Sequence, residues 1–76
     1  MKLAIVIIQD AGVAETLNKL TASGFSATKL ASTGGFLKTG NTTLLIGTDD
    51  QKIDQLVQLL TGATIFILDV ERFERI

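Results

Sequence analysis

The chain of 76 residues contains no cysteine, no histidine and no proline. Without cysteine, it is not one of the small secreted folds that disulfide bonds hold together. Without histidine or cysteine, the usual nucleophile and base pairs and the tetrahedral zinc sites lose their proton carriers and ligands. The composition therefore predicts a protein that has no catalytic site and no metal site.

Long apolar runs and an excess of one charge are missing as well. The longest runs, Leu3 to Ile8 and Ala63 to Leu68, fall short of the roughly 18 to 20 residues that cross a bilayer. The first residues also lack the pattern of a signal peptide. Seven basic and eight acidic residues give a net charge of -1, without the basic surface typical of proteins that bind DNA or RNA. We therefore expect a cytoplasmic protein that binds neither a membrane nor a nucleic-acid polymer.

Apolar residues make up 46% of the chain, and their spacing alternates between strand and helix patterns. At this length one core cannot be divided, so we expect residues 1–76 to form a single domain. Strands are predicted at Leu3 to Ile8, Phe25 to Ser32, Asn41 to Gly47 and Ala63 to Val70. A helix is predicted after each of the first and third strands.

The first predicted helix starts at a cap formed by Asp10 and ends at Gly24, with Glu15 and Lys19 paired on its outer side. The second starts at a capping box, Thr48 to Gln51, and ends at Gly62. Their buried faces are predicted to be Val13, Leu17 and Leu20 in the first helix, and Ile53, Leu56, Val57 and Leu60 in the second.

The order strand, helix, strand, strand, helix, strand predicts an α+β, ferredoxin-like sandwich with a four-stranded antiparallel sheet and two helices on one face. Such a sheet exposes one face and two edges, and a domain this small buries only about 60% of its unfolded surface. We therefore expect a homo-oligomer. In the charged tail from Glu71 to Ile76, Phe73 and Ile76 are candidate anchors.

The segment from Ser32 to Asn41, between strands two and three, has the composition of a binding loop. Gly34 and Gly35 allow successive backbone N–H groups to turn inward around an anion, and Phe36 offers a flat surface for a base. An anion site beside an aromatic ring predicts a nucleotide-type ligand.

Three residues of the two flanking strands extend this candidate site. Asn41 carries the donor and acceptor that an adenine edge requires, Thr28 adds a hydroxyl, and Gly47 permits close approach of a ligand. A hairpin connection with Phe36 on a neighbouring subunit explains the same composition, so that alternative stays open. The loop matches neither a Walker motif nor a dinucleotide fingerprint.

Several stretches closely resemble the PII-like cyclic di-AMP receptors of the PstA type. They are Thr28 to Leu37, Gly40 to Thr43, Ile46-Gly47, Met1 to Leu3 with Gln9-Asp10, Gly62 to Phe66, and Val70 to Phe73. The resemblance implies a non-catalytic signal receptor, a homotrimer of ferredoxin-like subunits that needs no cofactor and binds cyclic di-AMP in the clefts between subunits. It also implies an unidentified downstream protein.

Position by position, the resemblance assigns ligand contacts to residues on two strands and the loop between them: Thr28, Gly35, Phe36, Leu37, Asn41 and Gly47. Gly62 and Ala63 are weaker candidates that would reach the ligand from a neighbouring subunit. The chain departs from the family pattern in two places. Ser26 stands where a basic residue is usual, and the usual long loop between helix two and the last strand is missing.

Two other functions compete with this interpretation. In the first, the chain is an association module in which Phe36, Leu37, Phe73 and Ile76 make subunit contacts and no ligand enters. In the second, it senses ATP and 2-oxoglutarate as PII proteins do. The second is disfavoured because the loop is short and lacks a basic cluster for a triphosphate.

Overall fold

The computed structural model of the protein describes residues 1–30 and 40–76, in which four strands form one antiparallel sheet. The strands are β1 (Lys2–Gln9), β2 (Ala27–Leu30), β3 (Asn41–Thr48) and β4 (Thr64–Asp69). The helices are α1 (Val13–Ala22) and α2 (Ile53–Leu59), each entered through a short 3-10 turn, Asp10–Gly12 and Asp50–Lys52. The spatial strand order is β2-β3-β1-β4. The predicted α+β, ferredoxin-like arrangement is confirmed.

Strand β1 lies at the centre of the sheet and separates the buried surface from the exposed one. Ala4, Val6 and Ile8 are buried in a cluster with residues of both helices, so their side chains face the helix layer. Alternate residues of a strand point to opposite faces, which places Leu3, Ile5 and Ile7 on the other side. Both helices therefore cover one face of the sheet.

We call the uncovered side the open face. The pairing register aligns Ile5 with Leu45 on β3 and with Phe66 on β4, and it aligns Leu3 with Leu68. Phe66 and Leu68 are 52% and 49% exposed. The apolar side chains of the open face are thus Leu3, Ile5, Ile7, Leu45, Phe66 and Leu68. Apolar side chains thus extend across β3, β1 and β4 on this face.

Helix α1 ends as the sequence predicts. Gly24 has φ +84, the left-handed conformation that favours glycine, and the N–H of Phe25 donates to the carbonyl of Leu20 at 2.9 Å. This is a Schellman cap, and its hydrophobic residue is Phe25, which is 6% exposed. Strand β2 therefore begins at Ala27 instead of Phe25. On the outer side of the helix, Glu15 and Lys19 form the expected ion pair at 3.6 Å.

Three details of the predicted helices were wrong. Asp10 does not cap α1, because its carboxylate instead accepts a hydrogen bond from Thr42 on β3. Asp49 precedes the second helical segment without a side-chain cap, so no capping box forms. Val57 is 40% exposed because the buried side of α2 is centred between Leu56 and Leu60, and Leu59 flanks it on the other side.

The connection from α2 to β4 spans residues 60–63, slightly longer than the Thr61-Gly62 junction that the sequence predicts. The N–H of Ala63 donates to the carbonyl of Leu60 at 3.0 Å, and Gly62 has φ +87.

Phe73, in the tail, is 70% exposed, and Ile76 is fully exposed, so neither anchors the tail to its own subunit. In the described part of the chain, no helix is long and apolar enough to cross a bilayer.

Candidate functional site

The predicted ligand-contacting residues fall at different places in the fold. Thr28 pairs with Leu45 across β2 and β3, which places it on the open face, and strand alternation places Asn41 and Gly47 on that same face. Gly62 and Ala63 precede β4. Gly35, Phe36 and Leu37 lie outside the described residues.

Apart from Thr28, which pairs with Leu45 near the middle of β3, the described candidates lie at opposite ends of the sheet. Asn41 pairs with Gln9 at one end of β1, and Ala63 adjoins Thr64, which pairs with Ile7 near the same end. Gly47 pairs with Leu3 at the other end. At about 3.3 Å per residue, Asn41 and Gly47 lie roughly 20 Å apart along β3. A single subunit therefore does not bring all of them into one pocket.

At the first end, Asp10 forms hydrogen bonds with the two residues that flank Asn41 in the chain. The Asp10 N–H donates to the carbonyl of Gly40 at 2.8 Å, and the Asp10 carboxylate accepts a hydrogen bond from the Thr42 hydroxyl at 2.5 Å. Among the residues that the structure describes, the side chain of Asn41 has no hydrogen-bond partner. Its amide donor and acceptor are thus available to a ligand.

Gly40 forms the turn that enters β3. Its φ of +94 is rarely adopted by residues with a side chain, although a Cβ there would meet no atom within 4 Å. Glycine is thus required for the backbone conformation and not for space.

Gly40→Ala is expected to lower the free energy of unfolding by about 1–3 kcal/mol, the cost of holding alanine in a left-handed conformation. Urea denaturation followed by circular dichroism measures this loss. Gly12→Ala is the matched control, because Gly12 has φ -96 and ψ -3 and equally open surroundings. Equal stability of the two variants would contradict the assignment.

At the second end of the sheet, Gly47 lies at the edge of a pocket of about 210 Å³. The pocket lies between the end of β3, the turn after α1 and the entry to α2. Its lining residues are Met1, Gly24, Phe25, Ser26, Gly47, Thr48, Asp49 and Lys52. A Cβ added at Gly47 would lie 3.5 Å from the Met1 Cε atom, an ordinary contact. The subunit by itself therefore has room for a side chain at position 47.

Charges of both signs surround this pocket. Lys52 is the basic side chain of the lining, and Asp49 is the acidic one. The amino group of Met1 lies 3.0 Å from the Oδ1 atom of Asp50, and its hydrogen bond holds the pKa of that carboxyl below the ordinary value. Within residues 1–30 and 40–76, no acidic side chains cluster as a metal ion would require.

Sequence reasoning missed the roles of Asp10, Thr42 and Lys52 in this geometry. The sequence predicts a helix cap at Asp10, whereas the contact of Asp10 with Thr42 joins residues far apart in the chain. Lys52 follows Gly47 closely in sequence, but only the fold shows that Lys52 lines the same pocket as Ser26. A basic residue shortly after a strand glycine was the available signal for Lys52.

The fold is a small α+β sandwich with an open apolar face on its sheet and a pocket beside the end of β3. A protein-family model described as "Cyclic-di-AMP receptor" matches residues 1–61. The chain belongs to the cyclic di-AMP receptor family, which confirms the resemblance in its sequence. The match includes Thr28, Asn41 and Gly47 and ends before Gly62 and Ala63.

The fold is also similar to a crystal structure from Pediococcus pentosaceus ATCC 25745 that is described as a functionally unknown protein. The two chains are 30% identical and superpose with a TM-score of 0.83. The similarity covers 99% of this chain and 96% of that chain, so it includes the α2–β4 region beyond the family match.

Proposed function

We propose that the protein is a signal receptor that binds cyclic di-AMP between the subunits of a homotrimer. The observation that carries the proposal is the family match over residues 1–61, because that range contains the loop and both strands of the candidate site. The proposed receptor acts in the cytoplasm, without catalysis and without a cofactor. Its output passes to an unidentified downstream protein.

The size of the pocket supports a site that a second subunit completes. Small-molecule sites usually enclose about 300–1,000 Å³, whereas the pocket beside Gly47 has a volume of about 210 Å³. It has room for part of a dinucleotide, such as one ring, and another surface must cover the rest. An assembly can supply that surface.

The positions of the candidate residues support the same conclusion. On the open face, Thr28 lies beside Leu45 near the middle of β3 and Gly47 lies near one end of the sheet, whereas Asn41, Gly62 and Ala63 lie at the other end. Two neighbouring subunits can bring opposite ends together around one ligand. In the proposed site, Gly35, Phe36 and Leu37 belong to the ligand-binding loop, and Gly62 and Ala63 reach the ligand from the adjacent subunit.

The apolar open face supports self-association. Ile5, Leu45 and Phe66 lie side by side across three strands. At roughly 25 cal/mol per Å² of apolar area, covering such a surface with a second subunit is favourable. Because Thr28 and Gly47 lie on this face, association also brings a neighbouring subunit close to the candidate site.

Isothermal titration of the whole protein against cyclic di-AMP, cyclic di-GMP and ATP tests the proposal. Cyclic di-AMP is expected to bind selectively, with one ligand per subunit interface. Sedimentation velocity on the same sample establishes whether a trimer is present. An intact trimer that fails to bind cyclic di-AMP would overturn the proposal.

A second candidate function, an association module without ligand, is favoured by the open face alone. It predicts the same trimer and no heat of binding with any of the three nucleotides. A sensor of ATP would instead bind ATP, and ATP would compete with cyclic di-AMP for the same site. The titration therefore separates all three functions.

Asn41→Asp is expected to weaken cyclic di-AMP binding by about tenfold or more, equivalent to at least about 1.4 kcal/mol. The substitution removes the amide donor and places a negative charge near the ligand phosphates. Asn18→Asp is the matched control, since Asn18 is exposed on α1. Titration of both variants measures the difference, and equal affinities would remove Asn41 from the site.

A further inference from the structure

We infer that Asp10 and Thr42 are positioning residues that hold Asn41 in place for the ligand. The inference rests on the proposed function, because it assigns Asn41 a contact with cyclic di-AMP. It adds two residues to the site that do not themselves touch the ligand. Their contact links the entry of α1 to the first residues of β3.

The contacts of Asp10 bracket Asn41 in the chain. Its N–H donates to the carbonyl of Gly40, the residue before Asn41, and its carboxylate accepts from the hydroxyl of Thr42, the residue after. Gln9, next to Asp10, is the register partner of Asn41. The backbone on both sides of Asn41 is therefore tied to residues 9 and 10.

The location of these bonds explains why they matter. The pair of Gln9 and Asn41 is the last of the β1–β3 ladder, and the ends of such ladders open most readily. Asn41 is also the first residue of β3. Without the Asp10 contacts, the last pair of the ladder would open more readily, and the side chain of Asn41 would lose its fixed position.

The burial of Thr42 shows which element the hydrogen bond between Asp10 and Thr42 stabilises. Thr42 is 3% exposed and faces the helix layer, whereas Asn41 faces the open side. The Thr42 hydroxyl is thus a buried donor whose partner is the exposed Asp10 carboxylate. The first turn of α1 makes no use of that carboxylate, since no side-chain cap is present there. The contact therefore serves the strand entry and not the helix.

Thr42→Val tests the inference without leaving a buried donor unpaired, because valine has nearly the shape of threonine and suits a strand. We expect it to weaken cyclic di-AMP binding by about three- to tenfold, the effect of losing one hydrogen bond. The thermal midpoint should change by only a few degrees. The amide of Asn41 should show a lower NMR order parameter in the free protein, which a purely global effect on stability would not produce.

Conservative variants distinguish positioning from a general effect on folding. Thr42→Ser keeps the hydroxyl and should bind like the unmodified protein. Asp10→Asn keeps an acceptor oxygen and should lose less affinity than Asp10→Ala. In the double variant Asp10→Ala with Thr42→Val, the loss should be smaller than the product of the two single losses, because both remove one contact.

Two results would overturn the inference while leaving the proposed function intact. In the first, the unmodified protein binds cyclic di-AMP and Thr42→Val binds it equally well. In the second, Thr42→Ser binds as weakly as Thr42→Val. If the unmodified protein does not bind cyclic di-AMP, the proposed function itself fails, and the order parameter of Asn41 still reports whether the contact holds the strand entry.

Discussion

Phe66→Asp is expected to dissociate the proposed homotrimer and, with it, to abolish cyclic di-AMP binding. Phe66 lies on the open face beside Ile5 and is 52% exposed in the single subunit. In an assembly that covers this face, the new carboxylate would be buried without a partner. That burial costs about 3–5 kcal/mol, which raises the subunit dissociation constant by about two to four orders of magnitude. Sedimentation velocity measures the dissociation.

Ile67→Asp provides the matched control for this experiment. Ile67 is the next residue of β4, is 43% exposed, and points to the opposite side of the sheet because strand residues alternate. Both substitutions affect exposed positions, so the fold of the subunit should survive in each. A trimer that persists in Phe66→Asp, or that is lost equally in both variants, would show that the open face is not the subunit interface.

Gly47→Ala is expected to weaken cyclic di-AMP binding by about 10- to 100-fold while leaving the free protein as stable as before. A methyl group here meets only the Met1 side chain, at an ordinary contact distance, so the subunit tolerates it. A ligand that closely approaches the backbone of Gly47 would meet the methyl group. Such overpacking costs about 1–3 kcal/mol, and each 1.4 kcal/mol is about tenfold in affinity.

Calorimetric titration and thermal unfolding of the same samples test the two parts of this prediction. Gly12→Ala makes the same chemical change at the entry to α1, where a Cβ meets nothing within 4 Å. It should bind with unchanged affinity. If Gly47→Ala binds as tightly as Gly12→Ala, the ligand does not approach β3 at this point, and the pocket beside Lys52 lies outside the site.

Separation of the candidate residues has a consequence for signalling. Within one subunit, Asn41 and Gly47 lie roughly 20 Å apart along β3. In the proposed trimer, the ligand therefore contacts one end of the sheet in one subunit and the opposite end in its neighbour. Anything that binds only the assembled form stabilises it by mass action. Ligand binding and subunit association would therefore be coupled through the open face, which carries both the apolar surface and Gly47.

The amino-acid sequence by itself determined the element order, the helix stop at Gly24, the Glu15–Lys19 pair and the family. These features depend on local spacing and on residue types that have few alternatives. Apolar runs of β-branched residues predict strands, a 3.6-residue period predicts helices, and glycine marks the left-handed positions. The loop composition also predicts a nucleotide-type ligand, and membership of the cyclic di-AMP receptor family agrees with that prediction.

Only the tertiary structure decided that Asp10 bonds to Thr42 instead of capping α1, that Val57 is exposed, and that Asn41 lies opposite Gln9 at the end of the β1–β3 ladder. The physical reason is that these properties depend on strand register and on the rotation of each helix against the sheet. Local spacing leaves both undetermined, because residues distant in the chain compete for the same partners and the packing of the whole core selects among them.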